Sequence, residues 1–291
     1  MRLGVMALAT DQTMPPADLA IAVEQRGLSS LFLPEHTHIP TSRQTPYPGG
    51  EPLKDEYYRF LDPLVALSMA AAVTERIELG TGVLLVNQHD PIALAKAIAT
   101  LDHLSGGRFV LGAGFGWNED EMSHHGVDPR RKRTIFREKV LAMIELWENE
   151  QASFDGKYVS FSPSYQWPKP ARKPHPPILL GGGAGPVFFK HMAEYADGWL
   201  PIGGKGLKGD IQAMRDAAEE AGRDPNELSI NLFGVMPDPG RLEHYRELGA
   251  DRVALGLPPQ KRFTDIGGAT ADVILPILDE YAVLAEQHQD T

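Results

Sequence analysis

The sequence predicts an α/β protein whose strands close into a (β/α)8 barrel of the TIM type, with insertions at the C-terminal face. Three observations carry that expectation. Short β-rich apolar runs and helix-period stretches alternate eight times along the chain. The 291 residues cover the ~250 that such a barrel needs and leave room for insertions. Two stretches longer than ordinary loops, near 35–59 and 151–176, sit where they can cover a barrel mouth. A doubly wound open sheet is the other architecture that the alternation allows. One domain spanning 1–291 is expected.

The predicted strands are Leu3–Leu8, Ser30–Pro34, Ile77–Leu84, Arg108–Gly112, Pro177–Leu180, Gly198–Ile202, Leu228–Val235 and Arg252–Leu257. Helices are expected near Pro16–Arg26, Leu61–Thr74, Pro91–Leu104, Thr134–Asn149, Pro186–Tyr195, Gly209–Ala221, Gly240–Leu248 and Ala271–Gln287. In the fourth helix Phe136, Val140, Met143, Ile144 and Trp147 share one face, the spacing of a core-facing helix. Pro91 and Pro186 stand where a first-turn proline costs no hydrogen bond. Ser105-Gly106-Gly107 offers the left-handed stop for the third helix. Asp155-Gly156 predicts a hairpin at the start of the second insertion, which continues through Pro163, Pro168, Pro170, Pro174 and Pro176.

Composition excludes several function classes. The chain has no cysteine, so disulfides, thiolate nucleophiles, zinc–cysteine sites and iron–sulfur clusters are out, and a cytoplasmic location fits. With 28 basic and 39 acidic residues the net charge is −11, which repels nucleic acid unless basic residues gather on one face. The densest basic run, Arg130 to Arg133 with Arg137, heads an apolar-periodic helix and reads first as a solvated helix start, then as an anion contact. No segment approaches the ~18 apolar residues of a membrane span. Met1 to Pro16 shows no signal peptide.

Four constellations could carry chemistry. Pro34-Glu35-His36-Thr37-His38 lies at the end of the second strand, where a barrel gathers its active site. His36-x-His38 also matches the metal-binding pair of amidohydrolase barrels, but the further ligands that reading demands are missing: the fifth strand ends in Gly181-Gly182-Gly183 and the eighth in Gly256-Leu257-Pro258. No metal site is expected. Gly112-Ala113-Gly114-Phe115-Gly116-Trp117-Asn118-Glu119 follows the fourth strand. As a dinucleotide fingerprint it fails, because Glu119, Asp120 and Glu121 would put carboxylates beside a pyrophosphate. What remains is a Gly-permitted approach of backbone to a flat aromatic ligand. Gly181-Gly182-Gly183-Ala184-Gly185-Pro186 exposes amides at a helix start and suits a phosphate. Gly203-Gly204-Lys205-Gly206 offers a second, weaker anion site. Leu79-Gly80-Thr81-Gly82-Val83 reads by itself only as a bulge.

Together these residues resemble the bacterial luciferase-like family, and within it the oxidoreductases that use the deazaflavin coenzyme F420. The resemblance covers nearly the whole chain. It is most specific from Leu79-Gly-Thr-Gly-Val83 through Asp90-Pro91, Leu101-Asp102 and Leu104-Ser-Gly-Gly-Arg108 to Gly112–Asn118, with support from Phe154-Asp-Gly-Lys-Tyr158 and Ala196-Asp-Gly-Trp199.

The resemblance implies a tricyclic flavin or deazaflavin ring held at the strand C-termini. Thr81, Gly82 and Val83 would back the ring through a non-prolyl cis peptide at Gly82-Val83. Phe115, Gly116, Trp117 and Asn118 would line the ring and ribityl chain, while Gly182, Gly183, Ala184 and Gly185 would hold the phosphate. His36 matches the family's active-site histidine, and Glu35 an acidic neighbour that could fix the imidazole or touch the cofactor. Hydride transfer to or from a small organic substrate follows, its chemistry supplied by the cofactor. Relatives that oxidise sugar phosphates carry an acidic residue where Trp117 stands, so a flatter and more apolar substrate is expected. The alternatives are an FMN-dependent monooxygenase fed by a partner reductase, a cofactor-binding protein without turnover, and a metal hydrolase. A homodimer is expected from the family.

Overall fold

Apolar runs that alternate with helices bury both faces when parallel strands are covered by those helices. The computed structural model, which describes residues 1–50, 52–202, 206–257 and 270–288, takes that solution. Its strands are β1 (Arg2–Ala7), β2 (Ser30–Leu33), β3 (Glu78–Thr81), β4 (Phe109–Gly114), β5 (Gln151–Asp155), β6 (Ser160–Tyr165), β7 (Ile178–Gly181), β8 (Gly198–Leu200), β9 (Ser229–Val235) and β10 (Arg252–Leu257). All but β5 and β6 are parallel and close into a barrel in chain order. β10 returns to β1 in the register Arg2↔Arg252 through Ala7↔Leu257. The fold is a (β/α)8 barrel, and the open sheet is excluded.

The helices are α1 (Pro16–Gln25), α2 (Pro63–Val73), α3 (Pro91–Leu104), α4 (Glu119–His124), α5 (Lys132–Glu148), α6 (Pro186–Tyr195), α7 (Leu207–Glu220), α8 (Pro239–Glu247) and α9 (Ala271–His288). Proline opens α1, α2, α3, α6 and α8, where its missing N–H costs nothing. Asp62, Asp90 and Asp238 cap α2, α3 and α8 by accepting from the amides of Val65, Ala93 and Arg241. Phe136, Val140, Met143 and Trp147 of α5 are buried, as their spacing predicts. The Trp147 indole donates to the Ala95 carbonyl at 3.0 Å.

Three local features bear on the site. β3 ends at Thr81 instead of running to Leu84, because the chain bulges at Gly82 and rejoins the sheet only at the Leu84↔Ala113 bridge. The sequence predicts no helix over α4, which is too short to show a helical period and begins among acidic residues. β5 and β6 form the antiparallel hairpin expected at Asp155-Gly156, and Glu138 of α5 accepts from the Tyr158 and Val159 amides of its turn. Gly203, Gly204 and Lys205 of the weaker anion site, and Pro258 after β10, lie outside the described residues.

Glycine is compulsory where the barrel strands approach one another most closely. A Cβ on Gly112 would sit 1.8 Å from the Thr81 carbonyl oxygen and 3.0 Å from Leu200. Backbone cannot yield as a flexible side chain does. Gly112→Ala is therefore expected to cost about 3 kcal/mol or more, and an unchanged urea midpoint would refute this account of the packing.

Candidate active site

The end of β3 supplies the floor. The Gly82 amide donates to Leu33 O at 2.8 Å, the Glu35 amide to Val83 O at 3.2 Å and the Leu84 amide to Gly112 O at 2.8 Å, tying the bulge to both neighbouring strands. The Gly82–Val83 peptide is cis, where the family resemblance implied it. Val83 fills the space that two glycines leave open: a Cβ on Gly114 would come within 2.6 Å of Val83 Cγ2, and one on Gly181 within 2.5 Å of Val83 Cγ1. Thr81 is fully buried and donates to Gly112 O at 2.7 Å, so it braces the bulge from beneath and is not part of the cavity wall.

Above this floor lies a cavity of about 620 Å³, bordered by the tips of several strands. Aromatic rings cluster in its wall around His36. Trp117 and Tyr57 stand 5.5 Å and 5.3 Å from the His36 ring, and Tyr47 stands 5.5 Å from Trp117. The phenols of Tyr47 and Tyr57 share a hydrogen bond of 2.9 Å, and burial raises the pKa of both, so they stay neutral donors and acceptors. Among the described residues lining the cavity there is no lysine or arginine.

His36 is the polar centre. Its Nδ1 lies 2.6 Å from Glu121 Oε2, and the Trp117 indole donates to its Nε2 at 3.1 Å. Glu121 is fully buried and also accepts from the Thr37 amide at 3.0 Å. Burial pushes its carboxyl up, but His36, the Thr37 amide and Gln88 outweigh this and hold it below its ordinary 4.5. Glu35 does not take the role of fixing the imidazole. Its carboxylate accepts from the Leu85 amide at 2.6 Å and pairs with His89 Nε2 at 2.8 Å. Burial opposes charge on His89, yet Glu35 raises its pKa on balance. His38 turns away from His36 and stacks on His124, with Nε2 2.9 Å from His124 Nδ1. The His-x-His pair therefore does not converge on one point.

The remaining predicted residues divide in two. Gly82, Val83, Phe115, Gly116, Trp117, Gly182, Gly183 and Ala184 border the cavity. Phe115 also packs on Phe136 at 4.6 Å between centroids and lies under the Arg133 guanidinium. Asn118 caps α4 and is buried, and its Nδ2 has no hydrogen-bond partner among the described residues. Gly185 caps α6, which has no side-chain cap for its first amides. A Cβ at Gly183 or Gly185 would meet nothing within 4 Å, and neither residue lies in the left-handed region that favours glycine. Packing of the protein alone does not require glycine at either place.

Glu121 was the residue that sequence reasoning passed over. Asn118 at the N-cap with Glu three residues later is a helix-start signature, and it was the available signal. The three acidic residues that spoke against a pyrophosphate are engaged elsewhere. Glu119 faces Lys132, Asp120 accepts from the Gln44 and Thr45 amides of the first insertion, and Glu121 holds His36.

A family model described as luciferase-like monooxygenase matches residues 1–236. An uncharacterised protein of Mycobacterium tuberculosis is 44% identical over 262 residues, covering 89% of this chain and 92% of that protein. An F420-dependent glucose-6-phosphate dehydrogenase of Nakamurella multipartita is 32% identical over 219 residues, covering 73% of this chain and 60% of that one. Among solved structures, the monooxygenase RslO1 from Streptomyces bottropensis superposes over 100% of both chains with a TM-score of 0.77 at 21% identity. An F420-dependent secondary alcohol dehydrogenase, solved with an F420–acetone adduct, superposes over 99% of both chains at 0.76 and 18%. At those identities the two structures speak for the fold.

A carboxyl whose pKa falls on folding contributes stability that is present above its unfolded value and is lost as pH drops through the folded one. Replacing Glu121 by Gln should lower the melting temperature at neutral pH. It should also shrink the loss of stability between about pH 6 and about pH 3. Thermal melts at both pH values check this, and equal acid sensitivity of the two proteins would contradict the assignment.

Proposed function

The chain belongs to the luciferase-like monooxygenase family, and on that premise we propose that it is a coenzyme F420-dependent oxidoreductase acting on a small, uncharged substrate with an oxidisable hydroxyl or reducible carbonyl group. The relatives from Kineococcus radiotolerans and Nakamurella multipartita are named F420-dependent glucose-6-phosphate dehydrogenases, which supports an oxidoreductase of this kind. The finer choice of deazaflavin follows the names of the curated relatives near 30% identity.

One observation carries the cofactor reading. A flat floor, made by Val83 set over Gly114 and Gly181, lies beside a glycine loop that has room for more than glycine. A protein that only needed to fold could place side chains at Gly183 and Gly185; a ligand phosphate lying against the amides at the start of α6 could not tolerate them. The unpartnered Asn118 Nδ2 is a further polar group without a use in the protein alone. The residues present fit the cofactor. Val83, Gly116 and Trp117 would border its ring, and Gly182 to Gly185 would hold its phosphate.

The bound deazaflavin would supply hydride acceptance and donation. The chain supplies the rest. The aromatic wall excludes water and holds an apolar substrate over the floor, and His36 exchanges a proton with the substrate oxygen. Trp117, standing where the sugar-phosphate-oxidising relatives carry an acid, supports a flatter and more apolar substrate.

The second reading is an FMN monooxygenase fed by a reductase; an oxygenating constituent of 3,6-diketocamphane monooxygenase, solved with FMN, shares the fold with a TM-score of 0.63. For assembly, α2 is apolar on every side and exposes Val65, Met69 and Val73, a stripe suited to a second copy of the chain. No helix among the described residues is long and apolar enough to cross a membrane.

Fluorescence titration of the cofactor-free protein with F420 and with FMN tests the reading. F420 should bind and FMN should not, and the reverse would overturn the choice. Gly183→Val should weaken cofactor binding at least about tenfold while leaving the melting temperature of the cofactor-free protein unchanged. His36→Ala should keep cofactor binding and lose turnover about 10²–10⁴-fold.

A further inference from the structure

His36 makes two side-chain hydrogen bonds, and only one placement of its protons satisfies both. The Trp117 indole nitrogen carries a hydrogen and offers no lone pair, so at 3.1 Å from His36 Nε2 it can only donate. Nε2 must therefore be bare, and Nδ1 must carry the proton that faces Glu121 Oε2 at 2.6 Å. The other carboxylate oxygen is pinned as an acceptor by the Thr37 amide at 3.0 Å. Glu121 is fully buried, so no solvent competes for it. The carboxylate thus has one orientation, and so does the imidazole.

We infer that Glu121 is the positioning residue of this site: it locks His36 as the neutral imidazole protonated on Nδ1, keeping the Nε2 lone pair for the substrate oxygen, while the Trp117 indole holds that place until substrate arrives. The inference rests on the proton-exchanging role proposed for His36. In the oxidising direction a substrate hydroxyl displaces the indole and donates to Nε2. The deazaflavin, when bound, would supply the hydride acceptor, so that the carbinol hydrogen leaves with both electrons of its C–H bond. The hydroxyl proton passes to Nε2, and the C–O bond becomes a carbonyl. The imidazolium so formed keeps one N–H on the product oxygen and the other on Glu121, whose charge balances it in a water-poor wall. Reduction runs through the same groups in reverse.

Glutamine at 121 provides the test because it has nearly the same shape but two unlike ends. The Thr37 amide keeps the amide oxygen, which leaves the NH2 group facing Nδ1 as a donor and demands the opposite tautomer. The tautomer is read by 15N NMR of histidine-labelled protein without cofactor, with the His36 signals identified by their loss in His36→Asn.

The unaltered protein and Trp117→Phe should both show Nδ1 protonated and Nε2 bare at neutral pH. The double variant Glu121→Gln, Trp117→Phe should show the reverse. In the cofactor-loaded enzyme, Glu121→Gln should lower kcat about 10²–10⁴-fold with KM within about twofold. An Nε2-protonated His36 in the unaltered protein or in Trp117→Phe overturns the proposal even if the double variant does not fold, and so does an unmoved tautomer in that variant. Failure of F420 to bind would remove the cofactor reading and leave the NMR outcome standing, so the two are told apart.

Discussion

Val83 can sit at the barrel mouth only because the next two strands of the barrel, β4 and β7, carry glycine where they pass it. Gly114 ends β4 and Gly181 ends β7, and a methyl group on either would lie closer than 3 Å to the valine. The bulge is then held by amide-to-carbonyl bonds to β2 and β4, with the Glu35 carboxylate drawn under it to the Leu85 amide. That geometry makes a flat apolar floor where most barrels would have converging side chains, and the cavity walls are arranged around it.

The acidic start of α4 does a second, electrostatic task. Carboxylates in the first turn of a helix are favoured by its dipole, and here each also ties down something outside the helix. Asp120 fastens the first insertion through two of its amides, and Glu121 reaches the strand end that carries His36. A short helix that would be marginal by itself thus joins the loop cover to the polar centre of the site. The order is causal: the helix orients the carboxylate, the carboxylate orients the imidazole, and the imidazole meets the indole from the same segment of chain.

The sequence made the barrel legible because short apolar runs alternate with helical stretches eight times, and proline and glycine mark their ends. Floor and glycine loop could be placed from Leu79–Val83 and Gly181–Gly185 once the family resemblance was seen; spacing alone gave only a bulge and a turn. Glu121 could not be found that way. Its partner lies 85 residues away, and a carboxylate at a helix start has an ordinary local explanation that hides a tertiary one. Glu35 shows the converse. Adjacency to His36 suggested that it serves the imidazole, but successive residues leaving a strand point to opposite sides, and its carboxylate goes to Leu85 and His89 instead.

This division of polar work says something about substrate. The wall combines Tyr47, Tyr57, Phe60 and Trp117 with a single fully engaged histidine, and the buried carboxylates are already hydrogen-bonded. An anionic substrate would have to give up its hydration without gaining a counter-ion from the described lining residues, a loss of several kcal/mol. An uncharged molecule with one hydroxyl or carbonyl oxygen loses little, because that oxygen can exchange water for His36 Nε2 or the tyrosine pair. On the proposed reading, selectivity would come from where a flat apolar body can lie over the cofactor ring with its oxygen at His36, and the position of that oxygen would decide which C–H or C=O carbon is presented for hydride exchange.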